Sequence, residues 1–241
     1  MHPAESSTGR SDDGLVPGPT AVPAHTWYAR SALAVARDLL GAFVTTRSDE
    51  GRVTVRLTEV EAYGGEDDPG SHAYRGRTGR NAAMFGEPGR LYVYRHLGLH
   101  HCVNVVTEVT GRASAVLLRA GEVVEGADLA WARRERAGVV DSVRQLARGP
   151  ARLAVALGLD LEANGADLTE IDGRVHVRRR DPRTIQPPVA TGPRVGVSGA
   201  GGDGALHPWR LWLTGERTVS AYRPAYRSPT SADAPGATTS A

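Results

Sequence analysis

The 241-residue chain carries 29 Lys and Arg against 27 Asp and Glu, a net charge of +2 with a pI of about 8.9, which permits an anionic partner without requiring one. All 29 basic side chains are arginine, so chemistry that needs a lysine is excluded: Schiff bases, pyridoxal binding and Walker A loops. The single cysteine, Cys102, rules out an intrachain disulfide and fits a reducing compartment.

No segment has the apolar length of a membrane span, and the amino terminus lacks the apolar core of a signal peptide. A cytoplasmic protein with no membrane partner is expected. Residues 1–25 and 220–241 are rich in small and polar residues without apolar period, and both are predicted to be disordered tails. They bracket one folded domain, residues 26–219.

Ser31 can cap a short apolar helix through Leu40 that Gly41 ends. Ala42–Arg47 reads as a first strand, and Ser48–Gly51 as the turn into Val53–Gly65, V-T-V-R-L-T-E-V-E-A-Y-G-G. Strict alternation over that stretch puts Val53, Val55, Leu57, Glu59, Glu61 and Tyr63 on one face. Two carboxylates continuing an apolar face before a Gly-Gly break point to a pocket floor, or else to a register change at a sheet edge.

Gly64–Arg90 is a long polar connection holding His72, Tyr74, Arg75, Arg77 and Arg80 before Met84-Phe85. Its length favours a functional loop, and arginines among glycines suit phosphate contacts as well as plain solvation. Arg90–Arg95 reads as a strand with Tyr92 and Tyr94 on one face, either core or a stacking wall. A turn at residues 96–99 leads to a returning strand, His100–Thr107. His100 and His101 would point to opposite faces, and no second cysteine exists, so no metal site is expected there.

Ala113–Ala120 is an apolar strand with Ala115, Leu117 and Arg119 on one face. Arg119 needs a partner, and Glu59 or Glu61 would pair with it. Glu125–Arg136 reads as a charged helix. Arg148-Gly149-Pro150 opens a helix that Gly158 stops, and its free N–H groups beside Arg148 and Arg152 either hold a phosphate or are ordinary punctuation. Leu168–Val177 reads as a hairpin turned at Asp172-Gly173, and Arg210–Thr214 as a last strand. The loop G-A-G-G-D-G lacks the strand-to-helix context of a nucleotide fingerprint.

The motifs T-E-V-E-A-Y, S-H-A-Y-R-G-R-T-G-R-N-A-A-M-F, P-G-R-L-Y-V-Y with G-L-H-H-C-V-N, A-V-L-L-R-A, R-G-P-A-R-L, P-R-V-G-V and P-W-R resemble, in this order, the 3-methyladenine (alkyladenine) DNA glycosylase family. The likeness covers about Tyr28 to Arg217. It implies a mixed α/β (α+β) single domain with a curved antiparallel sheet flanked by helices. It further implies a cofactor-free hydrolase that flips a damaged purine from double-stranded DNA and cuts its N-glycosidic bond. The lesion class so implied is 3-methyladenine, 7-methylguanine, hypoxanthine and ethenoadenine, with no obligatory protein partner.

By the same resemblance Glu61 falls on the general base that activates water. Arg119 helps hold that water, and the Val195 carbonyl touches it. Tyr63, His72 and Tyr94 fall on the walls that sandwich the flipped base, Asn104 lies at its edge, and Leu97 stands where vertebrate members carry a tyrosine wedge. Arg77, Arg80 and Arg148 are the expected phosphate contacts.

The chemistry of these residue types agrees: a carboxylate beside an arginine stays ionised for base catalysis, and electron-rich rings attract a cationic alkylated base. Lyase chemistry commonly needs an amine, and without lysine only the terminal amine remains, so a monofunctional enzyme is expected. Two other classes stay open at this point. One is a carbohydrate glycosidase using Glu59 and Glu61, which alternate along a strand at about 7 Å. The other is a module that senses distorted DNA without catalysis.

Overall fold

A computed structural model of the chain describes residues 21–225; the predicted tail segments 1–20 and 226–241 lie outside them. The elements run α1 (His25–Tyr28), α2 (Ala32–Leu39), β1 (Phe43–Ser48), β2 (Gly51–Tyr63), β3 (Leu91–His96), β4 (His100–Val106), β5 (Ala115–Glu125), α3 (Ala127–Ala137), α4 (Pro150–Leu157), β6 (Val175–Arg178), β7 (Val189–Gly192) and β8 (Arg210–Leu213). Ser31 caps α2 by accepting from the Ala34 N–H at 3.4 Å, and Gly158 closes α4 in the left-handed conformation, as their residue types require.

One antiparallel sheet runs β3-β4-β5-β2-β1-β6, and β8 branches from β2 to carry β7. This is the expected α+β class in a single domain. Its main core lies on one face. Val35, Ala36 and Leu39 of α2 and Leu153, Ala154, Ala156 and Leu157 of α4 pack there against Val44, Val55, Leu57, Val60, Val105, Val116, Leu118 and Leu211. A smaller cluster of Ala73, Met84, Tyr92, Val106, Ala113 and Ala115 lies on the other face. It anchors the 64–90 connection there.

The alternation read along β2 breaks at one place. Leu57 pairs with Gly121 and Glu59 with Ala120, so Thr58 is an extra residue with no partner; Val60 then pairs with Leu118, which leaves Arg119 as the extra residue on β5. Such bulges re-aim the side chains that follow them. Val53, Val55 and Leu57 face the core before the bulge, and Val60 and Ala62 face it afterwards. Glu59, Glu61 and Tyr63 therefore sit opposite the valines, not beside them as strict alternation predicts. The register change lies in an interior strand rather than at a sheet edge.

The predicted 168–177 hairpin is met in part. The chain turns with the Gly173 N–H donating to the Glu170 carbonyl at 3.0 Å, and the Val177 N–H reaches the Leu168 carbonyl at 3.3 Å. Only Val175–Arg178 is a strand, however, and it pairs with β1, with Val44 opposite Val177. The isolated run from Leu168 cannot show that the partner comes from the start of the fold. The described chain continues beyond both predicted domain limits: His25 opens α1, and Ser220 is bonded to Glu59.

Candidate active site

On the face opposite the helices a cavity of about 450 Å³ opens, within the usual size range of small-ligand sites. Its floor comes from the sheet: Glu61 and Tyr63 of β2, Leu117 and Arg119 of β5, Cys102 and Asn104 of β4, and Tyr92 and Tyr94 of β3. Cross-strand pairs set these neighbours side by side, Glu61 with Leu117, Leu117 with Asn104, and Asn104 with Tyr92. His72, Met84 and the 195–198 loop complete the walls.

Glu61 is fully buried. Its Oε1 accepts the Val195 N–H at 2.7 Å and faces Arg119 Nη1 at 3.3 Å, and its Oε2 accepts the Tyr63 hydroxyl at 2.8 Å. A buried carboxylate surrounded by donors in a cavity can take a proton from a molecule bound there. Burial works against the Arg119 charge, but Glu61 and Glu59 outweigh it and raise its pKa. The Tyr63 hydroxyl is pushed well up by burial first and then by Glu61. It stays protonated and remains a donor.

Glu59 has a different place. Its Oε1 accepts from Arg119 Nε at 2.9 Å, Arg210 Nε at 2.7 Å and Ser220 Oγ at 2.9 Å, and its Oε2 accepts the Ser220 N–H at 2.6 Å. It is fully buried and does not line the cavity. Two carboxylates and two guanidiniums thus form one neutral cluster with only Glu61 at its cavity end. The paired-acid arrangement of a carbohydrate glycosidase, two carboxylates flanking one bond, is not what these residues form.

The aromatic wall is ordered by side-chain contacts. Tyr92 and Tyr94 stack at 5.5 Å and 29°, and His72 meets Tyr94 edge-on at 4.5 Å. His72 Nδ1 lies 3.1 Å from the Tyr92 hydroxyl. Desolvation, then Arg80 and His96, lower the His72 pKa and favour the neutral ring. Asn81 knots the loop behind it, donating to the His72 and Gly76 carbonyls and accepting from the Thr78 N–H. Asn104 spends its Nδ2 on the Tyr92 carbonyl at 3.0 Å, which fixes the side chain at the cavity wall.

Outside the cavity, Leu97 is 80% exposed at the tip of the β3–β4 hairpin with φ of 50°. Arg80 lies 5.3 Å over the Tyr94 ring and Arg77 5.9 Å over Phe85, both on the exposed loop. Arg148 is half-buried and donates its Nε to the Val219 carbonyl at 3.0 Å. It braces the fold more than a free loop arginine would.

The profile of the Methylpurine-DNA glycosylase (MPG) family matches residues 26–217. The chain belongs to this family. A relative from Leifsonia xyli, provisionally named 3-methyladenine DNA glycosylase, is 55% identical over 84% of this chain and 93% of its own length. Relatives with the same provisional name are 50% identical in Streptomyces avermitilis, over 82% of this chain and 90% of theirs, and 46% in Mycobacterium tuberculosis, over 82% and 92%. Family membership places the chain among hydrolases of N-glycosyl bonds in DNA.

Sequence reasoning missed Asp68, Asn81, Arg194, Arg210 and Ser220. Arg194 lies inside the quoted P-R-V-G-V segment, yet nothing there marks it as buried. Asp68 is one of several acids in a glycine-rich loop.

Proposed function

We propose that the protein is a monofunctional DNA glycosylase of base excision repair acting on alkylated and deaminated purines. The class comprises 3-methyladenine, 7-methylguanine, hypoxanthine and ethenoadenine. Leu97 enters the base stack and fills the gap as the damaged nucleotide swings out. Arg77, Arg80 and Arg148 meet phosphates. Tyr63, His72 and Tyr94 sandwich the base, and Asn104 screens its edge.

Glu61 takes a proton from a water held by Arg119 and the Val195 carbonyl. The water oxygen forms a bond to C1′ of the sugar as the bond from C1′ to the base nitrogen breaks, and the base leaves with that electron pair. A cationic alkylated base is the better leaving group, and tyrosine faces attract it. No lysine is present to form an imine at C1′, so the product is an abasic site on an intact strand. The work is done in the cytoplasm, on the nucleoid.

The observation that carries this reading is the position of Glu61: buried, hydrogen-bonded by two donors and facing the Arg119 cation, at the floor of an aromatic-walled cavity. The test is base excision from duplexes carrying one lesion each, scored after alkaline cleavage, with Glu61→Gln alongside. The native protein is expected to release base while the variant binds the same duplex without releasing it. A variant as active as the native protein removes Glu61 from the reaction, and strand cleavage without alkali contradicts the monofunctional assignment.

A further inference from the structure

After β8 the described chain stays on the domain. Thr218 Oγ1 meets Thr58 Oγ1 at 2.9 Å, on the unpaired bulge residue of β2. The Val219 carbonyl accepts from Arg148 at 3.0 Å, and the Arg223 carbonyl accepts the Gly196 N–H at 3.1 Å, in the loop that holds Val195. Residues 218–223 therefore run as a strap from the β2 bulge to the 195–198 loop. The family match ends at residue 217, before the strap begins.

Ser220 is the contact of the strap with the charged cluster. Its N–H and hydroxyl both donate to Glu59, at 2.6 and 2.9 Å, and its carbonyl accepts from Arg210 Nη2 at 2.7 Å. Its Oγ also accepts from Arg119 Nη2 at 3.4 Å. A serine hydroxyl has one proton and two lone pairs, so donating to Glu59 while accepting from Arg119 is within its capacity. Arg119 Nε is already tied to Glu59. A planar guanidinium held at Nε and Nη2 has its plane fixed, and Nη1 then lies beside Glu61 as an ion pair, 3.3 Å from its Oε1.

We propose that Ser220, carried on the 218–223 strap, is a positioning residue that orients Arg119 toward Glu61. The inference rests on the glycosylase reading above. Without the hydroxyl, Arg119 keeps its charge and its bond to Glu59 but gains freedom to swing about that bond. Glu61 and the attacking water then lose a fixed cation. The cavity walls are untouched, so lesion binding is preserved.

The test uses the full chain and a lesion-bearing duplex, with base-release rate at enzyme saturation, duplex affinity and unfolding midpoint measured together. Ser220→Ala is expected to slow base release about tenfold, the scale of a lost bond to a charged group, with affinity unchanged and the midpoint lowered only by the bond that buried Glu59 also loses. Ser220→Thr restores the rate. Should alanine lower the midpoint further, Ser220→Thr against Ser220→Val makes the same comparison between side chains of like shape. In an Arg119→Gln background Ser220→Ala has no further effect.

A native rate in Ser220→Ala overturns the proposal, as does equal loss of affinity and rate, or a full tenfold effect without Arg119. If the native protein releases no base from any duplex, the glycosylase reading fails, and this proposal with it. A normal native rate with an indifferent Ser220→Ala sinks the positioning role alone.

Discussion

Asp68 and Arg194 meet as a two-point pair, Nη1 to Oδ2 at 2.5 Å and Nη2 to Oδ1 at 2.6 Å, with neither side chain exposed to solvent. Arg194 also donates to the Ala62 and Gly201 carbonyls and lies 4.6 Å over the Tyr63 ring. The pair ties the 64–70 loop to the 194–202 loop and sets the next residue, Val195, against Glu61. Burial alone would raise the Asp68 pKa; Arg194 and the N–H groups of Gly70 and Gly64 outweigh it and hold the carboxyl below its usual range.

Breaking a buried pair from one side leaves an uncompensated charge. Asp68→Asn is expected to lower folding stability by about 3–5 kcal/mol, measured by urea unfolding. Arg194→Lys keeps the charge but loses the forked geometry. It should slow base release even at temperatures where the variant is fully folded.

Tyr63 serves the carboxylate through its hydroxyl and the cavity through its ring. Tyr63→Phe is expected to reduce the base-release rate about tenfold, for one lost donor to Glu61, with duplex affinity kept. Tyr63→Leu removes the ring and should weaken both. Equal loss of affinity in the two variants would show that the hydroxyl does not act on Glu61.

Leu97 sits in the left-handed region, where a side chain costs about 1–2 kcal/mol, and it touches little of the protein. Leu97→Gly should leave the unfolding free energy unchanged within about 0.5 kcal/mol or raise it. Base release from duplex should fall, and release from single-stranded substrate should not. A parallel fall on both substrates would argue against a wedge.

His176 is buried beneath the β1–β6 edge with its Nδ1 unbonded. Burial, followed by Arg47, Arg178 and Arg52 and opposed by Asp172, lowers its pKa from 6.5 to about 4. Because the folded value lies below the unfolded one, the unfolded chain binds the proton first as pH falls. This group's stabilisation is complete above about pH 6.5 and is lost progressively toward pH 4. Denaturant unfolding at pH 7 and pH 5 should show the native protein losing more stability than His176→Gln over that interval.

Much of the fold was legible because its signals are local. Capping at Ser31, the stop at Gly158, and the facing of Tyr92 with Tyr94 and of Leu117 with Arg119 each depend on neighbours within a few residues. Short β7 was missed because four residues, V-A-T-G, carry no period to read. In β2 the pairing of Glu59 with Glu61 on one face was correct, yet the face itself was reversed by the bulge at Thr58.

The sequence by itself determined which side chains are available for chemistry: carboxylates and tyrosines in alternation, arginine with no lysine, and motifs in an order that marks the family. Only the tertiary structure decided their division of labour. Glu59 is sealed among Arg119, Arg210 and Ser220 while Glu61 opens to the cavity, and Asp68 finds Arg194 across 126 residues of chain. The reason is physical. A strand's alternation is a property of its own backbone, but a bulge depends on its partner strand, and a buried charge is neutralised by whichever opposite charge the fold brings within bonding distance.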